Sequence, residues 1–305
     1  MLTADGSRDD YGGHHETEPG DPSNPNHAAR QKLPLAPPSV KVERLPDPLT
    51  EDGEPLSIEE AREAYLRTQR ASWNATGRTS KYERHRYHLY PRILSADRHF
   101  QSEYKGLTTA MFSRRLSPID ESGNWLTPWE CNEMLHGGSI HRSVREAVDY
   151  QLDGFSYEWV AVTAPTQSAG TPHEHLYFWI DDPDNEVTTE YFDTGLERHL
   201  DHCVNACQKH HQYRTDGSGG AITVQRSPEV ATEYPDKLDN ILEESSPRPN
   251  TLGAQYLASQ LAHLSVGDVY DGGKENPPEA LLDGAALSWA SPRNWFRASR
   301  GVPSL

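Results

Sequence analysis

Apolar and strand-forming residues predict three strands in the middle of the chain. Residues 107–112 form a short apolar run that indicates a strand, and residues 157–163 are rich in strand formers. Residues 173–180 form another run of this kind, and the turn-like segment 167–172 separates it from the preceding one. We therefore predict that the last two strands form a β-hairpin over 157–180.

Helix signals lie on both sides of this hairpin. Thr127 and Pro128 combine an N-cap residue with proline at the first helical position, and a second start carries helix over 139–151. Residues 187–210 predict a long helix after the hairpin, and residues 221–225 predict a short fourth strand. The resulting order β-α-β-β-α-β is the ferredoxin-like split pattern, so we predict an α+β fold with an antiparallel sheet and helices on one face.

The segments that flank this unit differ from it in composition. Residues 1–56 hold nine prolines and 11 acids against five bases, which predicts a disordered acidic tail. Order is expected from Ser57, which opens a capping box. We divide the rest into a basic helical or extended segment over 57–106, a compact domain over 107–265 and a C-terminal extension over 266–305.

Residues 67–115 carry a charge opposite to that of the rest of the chain. They hold 11 bases and three acids, so the segment has a charge of +8 (11 − 3) and the remainder −25 (−17 − 8). Aromatic and imidazole side chains interleave the bases: Trp73, Tyr82, Tyr87, His88, Tyr90, Phe100 and Tyr104. This mixture is typical of surfaces that bind phosphates and stack on unpaired bases. The candidate DNA-binding residues are Arg78, Lys81, Arg84, Arg86, Arg92, Arg114 and Arg115. The alternative is a solvated arginine face paired with the acidic body.

The overall composition restricts the class of protein further. The net charge is −17 and Arg outnumbers Lys by 22 to seven, a balance typical of proteins that work in concentrated salt. Three cysteines are too few for a disulfide framework. No apolar run approaches membrane-spanning length and no secretory signal is visible, so we expect a cytoplasmic protein without a membrane partner.

His173, Glu174 and His175 form the most specific candidate site. They lie at the start of the predicted strand 173–180, where side chains alternate between faces, so both imidazoles share one face and Glu174 points away. Two neutral imidazoles on one strand can share a metal ion. The alternative is an accidental pairing in a chain that holds 15 histidines.

The helix predicted after Asn250 presents two parallel lines of side chains. The apolar line consists of Leu257, Leu261 and Leu264. The other line lies one residue earlier and consists of Tyr256, Gln260 and His263. Tyr256 is thus beside the core face, where it either packs or, next to a metal site, acts as a nucleophile toward a phosphodiester.

Three segments resemble the motifs of a known protein family. Residues 107–113, 170–179 and 253–261 look like motifs one, two and three of HUH endonucleases. The likeness is strongest to rolling-circle replication initiator (Rep) proteins of haloarchaeal plasmids and viruses, whose tail also resembles residues 294–302.

The resemblance implies an enzyme that nicks and rejoins single-stranded origin DNA. In this family paired histidines hold Mg²⁺ or Mn²⁺ against the scissile phosphate, and a tyrosine attacks it. The products are a 5′-phosphotyrosyl adduct and a 3′-OH that a host polymerase extends. Carried over, the resemblance makes His173 and His175 metal ligands, Tyr256 the nucleophile and 107–265 the HUH nuclease domain. No P-loop sequence is present, which implies that a host helicase unwinds the DNA.

The sequence departs from the family pattern at three places. Glu174 replaces a residue that is usually apolar, so the face toward which it points must be wet or paired. A third polar metal ligand is expected near the hairpin, where Gln167 is the candidate and Glu158 the substitute. Ser259 stands where many relatives have Lys, and Gln260 and His263 are the residues expected to position the phosphate instead.

A second cluster and a second function are kept as alternatives. His199, Cys203 and Cys207 recur every four residues on the predicted helix 187–210 and could hold a structural Zn²⁺, although such a straight row favours packing. The altered triplet and the missing lysine also fit a non-catalytic DNA-binding regulator on a degenerate HUH scaffold.

Overall fold

The computed structural model describes Glu63, Leu66 and residues 89–117, 120–122, 126, 128–165, 172–213, 220–228, 250–262, 286 and 295–303. The elements in chain order are α1 (Tyr90–Glu103), β1 (Leu107–Arg114), α2 (Pro128–His136), α3 (Ile140–Gln151), β2 (Ser156–Pro165), β3 (Pro172–Asp181), α4 (Asp193–His202), β4 (Ile222–Arg226), α5 (Leu252–Ala262) and β5 (Phe296–Ala298). The predicted tail over 1–56, the capping box at Ser57 and most of the hairpin turn lie outside the described residues.

The five strands form one sheet in the order β4-β1-β3-β2-β5, with antiparallel pairing throughout. The predicted α+β fold is therefore confirmed, and the hairpin pairs along its whole length from Ser156 opposite Asp181 to Pro165 opposite Pro172. Each predicted strand is present within two residues of its predicted ends. The edge strand β5, which pairs with β2, was not predicted.

The helices that the β-α-β-β-α-β pattern predicts cover one face of the sheet, which we call the second face. Helix α3 buries Ile140, Val144 and Val148, which are spaced four residues apart and form one stripe. They share a core with Phe178 of β3 and Phe192, which precedes α4. Helices α2 and α3 begin where the N-cap and proline signals place them.

The opposite face, the first face, is covered by α1 and α5, which come from outside the split pattern. Helix α1 buries Tyr90, Ile93, Leu94 and Phe100 against the sheet and α5. Tyr90 is 0% exposed and Phe100 4% exposed. The prediction that these two rings stack on DNA bases is therefore wrong, because both belong to the core. Trp73, Tyr82, Tyr87 and His88 lie outside the described residues.

The long helix predicted over 187–210 is wrong in its extent. Only Asp193–His202 is α-helical, and short 3₁₀ turns lie at Thr189–Phe192 and Gln208–His211. The helix ends because Cys203 has an extended backbone and Asn205 takes a positive φ of 69°. No helix in the described part of the chain combines the length and the apolarity needed to cross a bilayer.

Candidate active site

The histidine pair lies on the first face of β3, as the strand alternation predicts. The rings of His173 and His175 are 4.7 Å apart between centroids and nearly perpendicular, at 87°. His175 is fully buried and His173 is partly exposed. Glu174 points to the second face, where it is fully buried. The two imidazoles are thus close enough to serve one ion.

The surroundings of His175 favour a neutral imidazole with one defined coordinating atom. Burial, followed by the positive charges of His173 and Arg115, lowers the pKa of His175 well below its ordinary value. Ser113 on β1 places its Oγ 2.8 Å from His175 Nδ1. When Nδ1–H donates to this hydroxyl, the lone pair for a metal is on Nε2, and the hydroxyl fixes the ring orientation.

Tyr256 meets the histidine pair from helix α5. Its phenol oxygen lies 3.4 Å from His175 Nε2, and the two rings are 5.4 Å apart between centroids at 79°. Tyr256 is partly buried at the edge of the core, as its position beside the apolar line predicts. Residues 81 positions apart in the chain therefore form one site.

The other residues of the tyrosine line are only partly described. Gln260, one turn further along α5, is 7% exposed, and His263 lies outside the described residues. Ser259, at the position where the family resemblance implies a lysine, donates a hydrogen bond from Oγ to the Tyr256 carbonyl oxygen at 2.6 Å. Ser259 therefore satisfies a carbonyl within its own helix.

Asp97 is a buried hub that the sequence analysis missed. Its carboxylate accepts hydrogen bonds from Trp179 Nε1 at 2.8 Å, Gln101 Nε2 at 2.9 Å and Asn250 Nδ2 at 3.0 Å. It also accepts from the backbone N–H of Thr251 at 2.8 Å and from the Thr251 hydroxyl at 2.7 Å. One buried carboxylate on α1 thus ties strand β3 to the start of the tyrosine helix.

Thr251 extends this hub toward the candidate site. Its Oγ1 lies 2.9 Å from the Tyr177 hydroxyl and accepts the N–H of Ala254 at 3.3 Å, which caps the first turn of α5. Gly253 lets the helix approach closely, since a Cβ there would lie 2.7 Å from Tyr177 Cε2. Along the first face of β3, two histidines are followed by Tyr177 and Trp179, which hold the tyrosine helix. The only sequence signal for Asp97 was an acid on the apolar stripe of a helix.

Glu174 is paired on the second face, which confirms one of the two outcomes expected for it. It forms ion pairs with Arg114 and with Arg297, whose Nη1 lies 2.9 Å away, and His141 Nδ1 lies 3.3 Å away. Burial alone raises the pKa of Glu174, but the charges of Arg114 and His141 outweigh burial and hold it well below its ordinary value. The unusual middle residue therefore leaves the histidine face undisturbed.

The structure separates the arginines that were predicted to bind DNA. Arg114 is 0% exposed and paired with Glu174, so the prediction that it contacts DNA is wrong. Arg92 donates to the carbonyl oxygens of Val302 and Pro303 at 3.0 and 2.8 Å. Arg115 lies close enough for its charge to lower the pKa of His175, so it stays a candidate for phosphate contact. The remaining four lie outside the described residues: Arg78, Lys81, Arg84 and Arg86.

Of the two candidates for a third metal ligand, the structure describes only Glu158, and Glu158 does not lie near the histidine pair. Gln167 lies outside the described residues. Glu158 lies six residues along β2 from Ala164, the partner of His173, which is about 20 Å at the rise of a strand. Its carboxylate accepts the N–H of Gly301 at 3.1 Å. Among the described residues, no group of three or more His, Cys, Asp or Glu side chains is placed to hold a metal ion.

The straight row of His199, Cys203 and Cys207 does not form, because α4 ends at His202. His199 Nε2 donates to the carbonyl oxygen of Arg115 at 2.9 Å. Cys203 is buried, and burial raises the pKa of its thiol to about 11. Both features favour packing of these side chains over a shared zinc ion.

Comparisons with known proteins identify the family of the chain. Residues 67–305 match the family described as "Putative rep protein (DUF1424)". A protein of Halobacterium salinarum, named "Uncharacterized 36 kDa protein", is 30% identical over 219 residues, which are 71% of this chain and 61% of that protein. This chain thus spans less than two thirds of the length of that relative. No solved structure matches the chain. Because the family match covers well over half of the 305 residues, the chain belongs to this rep protein family.

Proposed function

We propose that the protein is a replication initiator that nicks single-stranded origin DNA. In this proposal Tyr256 is the nucleophile, and His173 and His175 hold a Mg²⁺ or Mn²⁺ ion against the scissile phosphate. The observation that carries the proposal is the 3.4 Å separation between the Tyr256 phenol oxygen and His175 Nε2. An attacking oxygen and a metal ligand so close together can act on the same phosphate.

The donor set fits a divalent cation. His175 is a buried imidazole with a lowered pKa, so it offers a lone pair at neutral pH. Ser113 fixes its ring, as partners of metal-bound histidines commonly do. A cation bound there would polarise the phosphate oxygens and make phosphorus more electrophilic. Gln167 and a phosphate oxygen are the further ligands that we propose.

The reaction is a transesterification. The Tyr256 oxygen forms a bond to phosphorus, and the bond from phosphorus to the 3′ oxygen of the preceding nucleotide breaks. The phenol proton passes to solvent and the leaving 3′ oxygen takes up a proton. The products are a 5′-phosphotyrosyl protein and a 3′-OH end, which a host polymerase would extend after a host helicase opens the duplex. Religation is the same exchange in reverse.

The chain itself supplies alignment. The Asp97 hub fixes the start of helix α5, and the ion pairs of Glu174 fix β3 on its other face. Arg115, and Gln260 one turn from Tyr256, are the residues that we propose to position the phosphate. The proposal thus keeps the predicted pair of histidines and the tyrosine, and it drops Arg114.

The test uses end-labelled single-stranded DNA from the origin of the protein's own replicon, incubated with Mn²⁺. We expect a covalent protein–DNA adduct on a denaturing gel that Tyr256→Phe abolishes. Tyr150→Phe, at a position that is 79% exposed, is the matched control and should form the adduct normally. An adduct that persists in Tyr256→Phe, with Tyr213 or another tyrosine carrying the DNA, would refute the assignment.

The alternative is a DNA-binding regulator that does not cleave. Ser259 favours it, because its hydroxyl bonds within the helix and brings no charge to the phosphate. The pairing of Glu174 on the second face speaks against it, since the altered triplet does not disturb the histidines. The alternative predicts that the parent protein binds origin DNA without forming any adduct.

A further inference from the structure

A groove opens beside Tyr256 on the first face of the sheet, over β1 and β4. It encloses about 200 Å³. Its walls include Thr109 and Met111 of β1, Thr223 and Gln225 of β4, and Leu252 and Tyr256 of α5. The nucleophile therefore stands at the border of the groove, and anything bound there lies next to the reacting phosphate.

Strand register explains why these side chains meet. Thr109 lies opposite Gln225, and Met111 lies opposite Thr223, in the pairing of β1 with β4. Met111 also lies opposite Tyr177, and two residues further along β1, Ser113 lies opposite His175. Residues two apart on a strand share a face, so the groove and the histidine pair form one continuous surface.

The chemistry of the walls indicates what the groove accepts. None of the described residues that line it is charged, so it is not built for a phosphate. It offers the Thr223 hydroxyl and the Gln225 amide, which donate and accept hydrogen bonds, beside the apolar side chains of Met111 and Leu252. Thr109 is only 2% exposed and its side chain is hydrogen-bonded to Tyr177, so it contributes to the wall of the groove. Leu252 is 40% exposed at the groove margin. A flat group with apolar faces and a polar edge suits such walls.

The size indicates a single ring system. Pockets for drug-sized ligands enclose about 300–1,000 Å³, so this groove is too small for a whole nucleotide with its sugar and phosphate. A nucleobase fits both the size and the chemistry. Its sugar and phosphate would stay outside, toward Tyr256 and the histidines.

We infer that the groove holds one base of the DNA strand, adjacent to the scissile phosphate, and that Gln225 with Thr223 discriminates between bases there. This inference rests on the proposed function, because it places the cleaved strand on the first face. Side-chain amides recognise a base edge through a paired donor and acceptor, and the Thr223 hydroxyl completes the polar edge.

The test separates this inference from cleavage. Tyr256→Phe protein is incubated with a single-stranded DNA library that carries a randomised stretch, bound molecules are selected, and base preferences are read by sequencing. The same selection is run in the Gln225→Ala background and in the Gln208→Ala background, where an exposed glutamine outside the groove serves as control. The parent protein is tested in parallel for covalent capture of the same library with Mn²⁺.

We expect the preference at one position to fall roughly 5- to 150-fold with Gln225→Ala, the range for loss of one amide–base contact, while the other positions keep theirs. Gln208→Ala should leave every position unchanged, and Thr223→Val should weaken the same position as Gln225→Ala. Thermal melting checks that each variant is folded. Identical preferences in the Gln225→Ala and Gln208→Ala proteins would overturn the inference. If the groove effect appears but the parent captures no DNA covalently, base recognition in the groove stands, whereas the proposed nicking activity and the position of the base beside a scissile phosphate both fail.

Discussion

Two buried carboxylates hold strand β3 from opposite faces, and they do so with different chemistry. Glu174 and Asp97 are both 0% exposed. Glu174 is matched by two arginines and a histidine, whereas Asp97 is matched by a tryptophan, a glutamine, an asparagine and a threonine. Ion pairs therefore hold the second face of β3, and hydrogen bonds from neutral donors hold its first face.

The difference shows how the strand can be fixed in an acid-rich protein. Buried ion pairs are screened by salt much less than exposed ones, so the Glu174 cluster should survive concentrated salt. Neutral donors to Asp97 leave no excess positive charge in the core beside the tyrosine helix. Glu174, with its ion pairs, stands between the two histidines in sequence, and Asp97, with its neutral donors, sets where Tyr256 lies.

The largest effect is expected from removing the charge of Glu174. Glu174→Gln leaves the buried guanidinium of Arg114 without its counterion, so the free energy of unfolding should fall by about 3–5 kcal/mol. Denaturant unfolding in concentrated salt measures it. The double variant Glu174→Leu with Arg114→Met should recover part of the loss. A loss below 1 kcal/mol in the single variant would mean that the ion pairs contribute little.

The next effect is expected at Asp97. Asp97→Asn turns an amide nitrogen toward donors, which should lower the free energy of unfolding by about 2–3 kcal/mol. Displacement of α5 should also slow adduct formation by about 100-fold, since small misplacements of reacting groups have large effects.

The threonine partner of Asp97 supplies a matched pair. Thr251→Val removes the hydroxyl that bonds Asp97 and Tyr177, whereas Thr251→Ser keeps it. Adduct formation should therefore be slow in Thr251→Val and close to the parent rate in Thr251→Ser. Equal rates in these two variants would show that the hub does not position Tyr256.

A smaller effect compares two helical glycines, one on each face. A Cβ at Gly253 would lie 2.7 Å from Tyr177 Cε2, and one at Gly195 would lie 2.7 Å from Val148 Cγ2. Each change to Ala should destabilise the fold by about 1–2 kcal/mol, as overpacking outweighs the gain in helix propensity. Only Gly253→Ala should slow adduct formation, because only it displaces the tyrosine helix. Slow adduct formation in Gly195→Ala as well would indicate a general loss of fold.

The smallest effect is a pH dependence of stability that arises from buried histidines on both faces, namely His175 on the first face and His136 and His199 on the second. Burial lowers the pKa of His136 and of His199 to about 3, whereas their ordinary value is 6.5. The unfolded chain therefore takes up protons below pH 6.5 that the folded protein does not, and stability falls as the pH drops. Between pH 7 and pH 5.5 each histidine should account for a loss of about 1 kcal/mol.

This pH dependence is measured by denaturant unfolding at the two pH values. Glu174 adds almost nothing in that window, because its carboxyl group has an ordinary pKa of 4.5 and a still lower one in the folded protein, so it stays ionised in both states above pH 5.5. His199→Gln should reduce the loss by about 1 kcal/mol, and exposed His202→Gln on the same helix is the control. An unchanged loss in His199→Gln would show that His199 is not the group that titrates.

The sequence predicts the sheet, and the faces on which the candidate site residues lie, because both depend on local patterns. Alternation placed His173 and His175 on one face, and the helical lines put Tyr256 beside the core. Their proximity came only from the resemblance, because no local pattern brings together residues 81 positions apart.

What the sequence could not supply is long-range partnership. A basic residue next to aromatic residues is typical of a DNA-binding segment, yet Arg114 is committed to Glu174, 60 residues away. The Asp97 hub depends on partners up to 154 residues distant. Spacing also misled where histidine and cysteine recurred every four residues, because the chain leaves the helix at Cys203. The groove beside Tyr256 arises from strand register, which single-strand patterns do not specify.

The last strand of the sheet sets an order on the making of the protein. Arg297 on β5 reaches Glu174 across 123 residues of chain, and β5 completes the sheet edge at β2. Residue 298 must therefore have emerged from the ribosome before β3 gains the ion pair with Arg297 and β2 gains its edge strand. A prematurely terminated product that keeps both histidines and the tyrosine would still lack the Arg297–Glu174 ion pair, so the order of translation delays full assembly of the proposed DNA-cutting centre until that segment has been synthesised.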